Sequence, residues 1–257
     1  MRNVLAIANK ELRSYFAGPI AYIAIGLWAL LYGYFFVAIL QFFVRQSMQM
    51  GQFGMGGPQT MNVNQQLIRP LLQNVTIMIL FVMPMITMRT YSEEKRSGTI
   101  ELLLTSPVSN VEIILGKFFG ALGLYLAMLL VTVLYVAILF VYGNPEWRPI
   151  VAGYLGLVLM GGAFVALGLL ISSTTNNQIV AGVVTFVVFL MLWIIGWFAD
   201  SAGPVIGPIT SFLSITEHFD DFAKGIIDTK HVIYYLSLIT LGLFLTSKSV
   251  DTERWRG

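Results

Sequence analysis

Few side chains in this sequence are of a kind that could do chemistry, and most of them fall in one stretch. Residues 93–117 read EEKRSGTIELLLTSPVSNVEIILGK and hold a quarter of all the Asp, Glu, Lys and Arg of the chain. The Gly116-Lys117 pair at its end raises the question of nucleotide binding, because a phosphate-cradling loop places a Lys and a Ser or Thr behind a glycine-rich turn. That pattern fails: Phe118 follows the Lys, and Val111 stands where the earlier glycine belongs. Lys117 is therefore expected to reach from the edge of a membrane toward water.

Other candidates are as thin. His218 and His231 have the Asp220-Asp221 pair beside them but lack the spacing of a metal-binding helix, so satisfied loop histidines are expected and no metal site. Met48, Met50, Met55 and Met61 could supply thioethers to cuprous ion. The Gly and Gln around them read as a flexible linker. Ser172 and Ser173 are nucleophile types with no base near them, and read as part of a polar turn. The chain has no Cys, which excludes disulfides, thiolate metal sites and thiol catalysis.

The elements that must position the charged stretch are set by composition. Hydrophobic residues make up 57% of the chain and charged residues 11%, and the mean hydropathy is +0.79, values of an integral membrane protein. A net charge of +2 leaves no nucleic-acid footprint. Charge-free runs long enough to cross a bilayer cover 18–44, 70–88, 118–145, 149–171 and 179–199, with SSTTNNQ at 172–178 breaking the last two. A shorter run at 232–247 has Lys230 and Lys248 at its ends and makes a sixth.

With six spans both termini share one side. The segments 1–17, 89–117 and the tail hold 10 of the 15 Lys and Arg, so that side is expected to be cytoplasmic. Within 1–17, Leu5, Ala8, Leu12, Tyr15 and Phe16 share a helical face away from Lys10 and Arg13. This predicts an amphipathic helix lying in the interface and ending at Gly18-Pro19. Residues 89–117 read as helix, turn, helix. Thr90 with Glu93, and Ser109 with Glu112, have capping-box spacing; Gly98 permits a break; Pro107 forces a turn. Ile100, Leu103 and Leu104 share an apolar face with Glu101 turned away. In 200–230, Gly203-Pro204 and Gly207-Pro208 break the chain. Ser214 and Glu217 could cap a short helix that carries Phe219, Phe222 and Ile226 on one stripe, with Gly225 at its end.

The stretch PMITMRTYSEEKRSGTIELLLTSPVSNVEIILGK resembles the signature of the ABC-2 type transporter permeases, matching at Glu94, Arg96, Gly98, Thr99, Glu101, Leu103, Leu104, Pro107, Val108, Gly116 and Lys117. SYFAGPIAYI, GYLGL, SSTTNNQIVA and HFDDFAKGIID extend the likeness, which looks closest to the gliding-motility and copper-handling permeases. The resemblance implies a single all-α membrane domain over 1–257. It would have six transmembrane helices, an interfacial N-terminal helix, a cytoplasmic coupling helix in 89–117 and a re-entrant outer segment in 200–230. It implies that Glu93, Glu94, Arg96, Gly98, Thr99, Glu101 and Leu104 form or support the contact with an ATPase subunit. The expected assembly has two ATPase subunits, which carry the ATP and Mg, and a second permease copy or a sibling permease in the inner membrane. No cofactor, metal or catalytic residue is expected in this chain.

Spans free of Asp, Glu, His, Lys and Arg argue against a proton-coupled carrier and against an intramembrane enzyme. The remaining alternative is an autonomous channel or carrier, or a membrane scaffold, without an ATPase.

Overall fold

In the computed structural model, which describes residues 2–52, 62–100, 108–198 and 203–256, all regular secondary structure is helical. The described helices are α1 (Arg2–Ala17), α2 (Pro19–Gln52), α3 (Arg69–Thr87), α4 (Ser92–Ser97), α5 (Asn110–Tyr142), α6 (Trp147–Thr174), α7 (Gln178–Ile194), α8 (Gly203–Leu213), α9 (Ile215–Ala223) and α10 (Thr229–Arg256). A π-helical turn, Asn64–Ile68, leads into α3, and a 3-10 turn, Ile195–Phe198, follows α7. Among the described residues, six segments are long and apolar enough to cross a membrane: Ala21–Gln49, Asn64–Ser97, Asn110–Tyr142, Trp147–Thr174, Gln178–Phe198 and Thr229–Thr252. The protein is thus an all-α, multi-pass membrane protein.

The helices run past the ends of the charge-free runs. α5 has 33 residues, about 50 Å at 1.5 Å per residue, against a hydrocarbon core of about 30 Å. Its first turns therefore stand outside the bilayer core and can carry Glu112 and Lys117. α10 begins before His231, so this side chain, expected outside the spans like Glu112 and Lys117, also belongs to a spanning helix. α2 continues to Gln52, which makes the segment around Met48 helical rather than a linker; Met55 and Met61 lie outside the described residues. Ser172 and Ser173 belong to the last turn of α6 and are buried. The turn before α7 is confined to 175–177, where the Asn177 side chain caps the Ile179 and Val180 amides.

α6 is the centre of the bundle, touched by α3, α5, α7, α9 and α10. In lipid no hydrophobic drive pushes helices together, so close approach across small residues has to supply the contact. Gly156 faces Phe222 and Phe219 of α9, Gly161 faces Tyr125 of α5, and Gly168 faces Thr87 of α3, each too close for a side chain. α2, α7 and α10 leave long apolar faces uncovered, among them Leu30, Tyr34, Val183 and Phe244.

At one end of the bundle the start of α5 meets the end of α10, where Asn110 donates to Asp251 and Ser249 donates to the Ser173 carbonyl at 3.2 Å. α1 and α4 lie at this same end, called the charged end below. At the far end, Arg69 pairs with Asp220 at 2.7 Å and Asn64 bonds both ways with the Glu146 backbone.

The 200–230 segment keeps part of its expected form. Ser214 caps α9 by accepting from the Glu217 amide at 3.3 Å, and Phe219 and Phe222 are buried. Ile226 is exposed, because α9 ends before it. Pro208 does not break the chain: α8 continues through it, with Thr210 and Ser211 hydroxyls bonding back to the Gly207 carbonyl. Gly225 has φ +89°. Its amide bonds the Phe222 carbonyl and the Ile226 amide bonds that of Asp221, the paired closure of a Schellman motif. A Cβ on Gly225 would also lie 2.9 Å from Pro149 Cα. Gly225→Ala should therefore cost at least about 1–2 kcal/mol from the left-handed backbone alone. Thermal unfolding in detergent should show a lowered midpoint; an unchanged one would contradict this account of the turn.

Candidate functional site

The charged end is built around α5. Ser109 and Glu112 form a reciprocal capping box, with the Glu112 amide 3.3 Å from Ser109 Oγ and the Ser109 amide 3.1 Å from Glu112 Oε2. This fixes where α5 starts, and so which residues its first turns point toward α1. Glycines at 116 and 120 form a groove on that side. A Cβ on Gly116 would stand 2.6 Å from the Ile7 side chain, and one on Gly120 2.6 Å from Glu11 Cβ. α1 sits in the groove along Val4, Ile7, Ala8, Glu11, Leu12 and Tyr15, while Leu5 is exposed. The packed face is thus turned from the sequence expectation, because it includes Glu11.

Glu11 faces the groove because Lys117 meets it there. The Lys117 ammonium is buried, with Glu11 Oε1 at 2.9 Å, Glu94 Oε1 at 2.7 Å and the Thr90 carbonyl at 3.0 Å. It also lies 5.0 Å from the centre of the Tyr91 ring. Three donors thus meet three acceptors, and a buried ammonium is tolerated only when paired in this way. The snorkelling expectation for Lys117 is corrected: the side chain turns inward and joins α1, α4 and α5 at one atom.

Two further contacts stiffen the junction. Tyr15 donates to the Ile86 carbonyl at 3.2 Å; burial pushes its phenol up to about 12, so it keeps its proton across the physiological range. Ser172, at the end of α6, accepts from the Tyr91 and Ser92 amides at 3.1 and 3.2 Å and donates to the Met88 carbonyl at 3.0 Å. One hydroxyl therefore holds the bend between α3 and α4. The expected Thr90–Glu93 capping box does not form. Tyr91 is the residue before α4, with no side-chain cap, and Glu93 instead pairs with Arg89 at 3.4 Å. With Glu93 exposed and Arg89 half-buried, that pair contributes about 0.3–0.5 kcal/mol.

α4 divides the residues expected to meet a partner. Glu93, Arg96, Gly98 and Thr99 are exposed, whereas Glu94 points inward to Lys117. Adjacent residues on a helix differ by about 100°, so Glu93 and Glu94 cannot share a face. Gly98 ends α4 with φ +73°, its amide bonded to the Lys95 carbonyl at 3.3 Å. Beyond it, Thr99 shares a hydrogen bond with Ser97 at 2.9 Å and Ile100 packs on the core. Glu101 and Leu104 lie outside the described residues.

Sequence reasoning missed Glu11, Tyr15 and Ser172 as members of this site. The signal for Glu11 was present, as the one acidic residue of an otherwise basic helix. Nothing local marked Ser172. Among the described residues the arrangement shows no nucleophile beside a base. What it can do is mechanical: a small exposed element is tied rigidly, by buried polar contacts, to the ends of α1, α3, α5 and α6.

The chain was compared with known proteins. Residues 5–245 match the family model described as "ABC-2 family transporter protein". No curated protein matches the chain.

Proposed function

Because the chain belongs to the ABC-2 transporter family, whose members are membrane subunits of ABC transporters, we propose that a separate ATPase subunit docks on the exposed face of α4 and drives this permease through the Lys117 junction. The observation that carries the reading is the division of α4: Glu93, Arg96, Gly98 and Thr99 face outward while Glu94 is held inside by Lys117. The outward charges give a partner orientation and specificity. The inward one passes a rigid displacement to α1 and α5, which a loose loop would absorb. Glu101 and Leu104, outside the described residues, are assigned to this contact by the sequence resemblance alone.

In this reading the charged end is cytoplasmic, as the excess of Lys and Arg there supports, and the membrane is the inner one. Two ATPase subunits, carrying ATP and Mg, serve two permeases, identical or sibling. α1 lies in the cytoplasmic interface, and 200–230 forms a re-entrant outer segment. The cargo is amphipathic or lipid-linked. This is supported by a cavity of about 410 Å³ at the far end, lined by apolar Trp193, Trp197 and Ile77 and by polar Gln73, Asn74 and Asp220. The finer likeness to gliding-motility and copper-handling permeases rests on the segments quoted above.

The test is co-purification from membranes in mild detergent. The native protein should retain a nucleotide-binding ATPase. Glu93→Lys with Arg96→Glu, which leaves the Glu94–Lys117 contact intact, should retain at least about tenfold less, as like charges set against a complementary patch require. Equal retention by both proteins, or no ATPase with either, would refute the docking surface and favour an autonomous channel or scaffold.

A further inference from the structure

The far end of the bundle contains a second buried polar cluster, in which the two histidines of the chain meet. His218 lies on α9 and His231 in the first turn of α10, 7% and 6% exposed, and their Nδ1 atoms are 2.6 Å apart. The roles of the other ring nitrogens are set by their partners. His218 Nε2 is 3.0 Å from the Phe212 carbonyl, which can only accept, so this nitrogen carries hydrogen. His231 Nε2 is 2.9 Å from Asp221 Oδ2. The hydrogen bond from His231, helped by Lys224, holds the Asp221 carboxyl below the usual carboxylate range, so Asp221 accepts and His231 Nε2 also carries hydrogen.

A neutral imidazole has a single N–H. Two neutral rings with hydrogen on both Nε2 atoms would aim two lone pairs at each other across 2.6 Å, which is repulsive. One added proton turns that repulsion into an N–H···N bond. A second would set two N–H groups head to head and place two positive charges in a buried site. From this geometry we infer that His218 and His231 form a proton-binding site that holds one shared proton and thereby fastens α9 to α10.

The Asp221 carboxylate faces the pair from the His231 side, 2.9 Å from His231 Nε2. Burial lowers the His218 pKa, which keeps that ring neutral and the acceptor. The charged and titratable groups around the pair are few. Asp221 is backed by Lys224, which also holds Asp220, itself bonded to Arg69 of α3. Lys230 is engaged by Asp228 at 3.3 Å. Tyr234 stacks on His218 at 3.7 Å, with Tyr235 edge-on, and Phe212 of α8 contributes its carbonyl and the edge of its ring. The neutral bonds from Tyr234 to the Leu213 carbonyl and from Tyr235 to that of Ile215 do not depend on protonation. The contact therefore exists within a pH window. Above it, loss of the shared proton leaves facing lone pairs. Below it, a second proton on His218 forces the rings apart, and the stability that burial of the neutral ring contributes is lost in the same direction.

With only two histidines in the chain, nitrogen NMR of the ¹⁵N-histidine-labelled full-length protein in lipid nanodiscs reads the site directly. At neutral pH the result expected is three protonated ring nitrogens over two rings, with a scalar coupling between the two Nδ1 atoms. This state should give way to two protonated nitrogens on alkalinisation and four on acidification. Asp221→Asn removes the counter-charge and should move loss of the shared proton down by at least about one pH unit. Two protonated nitrogens at neutral pH, absence of the coupling, or an alkaline step that Asp221→Asn leaves in place would each overturn the inference. The native-protein measurement decides the matter even if the variant does not fold.

Discussion

Lys117→Met is expected to destabilise the charged end of the permease by about 3–5 kcal/mol, because removing one member of a buried ionic group strands the others. Glu11 and Glu94 would remain close together with no cation between them, and the Thr90 carbonyl would lose its donor. The loss should be read twice, as a lowered unfolding midpoint in detergent and as loss of the proposed coupling to an ATPase subunit. A neutral triple variant, Glu11→Gln, Glu94→Gln and Lys117→Met, separates the two effects. Buried ionic groups can be replaced at little cost when every charge is removed together, so the triple variant should recover most of the stability and still fail to couple. Native-like midpoint and activity in the single variant would end the idea that this ammonium ties α1, α4 and α5 together. Full coupling in the triple variant would reduce the junction to a stability element.

Filling the α5 groove should have a comparable effect by a different route. Gly116→Leu places its side chain where Ile7 already stands, 2.6 Å from the Cβ position. α1 is a rigid helix pinned at Asn3 by Glu112 and at Tyr15 by Ile86, so it can yield only by leaving the groove. Overpacking of this kind costs about 1–3 kcal/mol, and hydrogen exchange along α1 should accelerate by about 5- to 150-fold. Gly123→Ala provides the control, since its nearest neighbour, Leu12, lies 3.4 Å away, an ordinary contact. Equal exchange in the two variants would show that the glycines do not seat α1.

How much of this was legible in the sequence depends on how far each cause reaches along the chain. The number and type of spanning helices rest on local hydropathy and were readable. So were the Ser109 and Ser214 caps and the Gly98 and Gly225 turns, each decided within a few residues. The span limits were not readable, because a search that stops at charge stops at Lys117 and His231. Those residues stay in their helices only because Glu11, Glu94 and Asp221 arrive from elsewhere. The short helix α4 was readable in part, as a charged helical segment ended by Gly98, but which of Glu93 and Glu94 faces inward depends on a lysine one span later. Ser172 was opaque for the same reason, since its value lies in amides 80 and 81 residues away.

The Glu11–Lys117 contact also has a place in time. The two residues are 106 positions apart, so at roughly 5–20 residues per second of ribosomal synthesis Glu11 waits on the order of 5–20 s for its partner. Throughout that interval α1 has neither its groove nor its counter-charge, and its amphipathic face can rest only on the bilayer surface, with Glu11 kept toward water. Docking begins when α5 inserts, and Ser172 can clamp the α3–α4 bend only after α6 follows. The N-terminal helix is thus made first but seated only after α5, the third span, has inserted, and the α3–α4 bend that carries the proposed docking surface is clamped only once the fourth, α6, is in place.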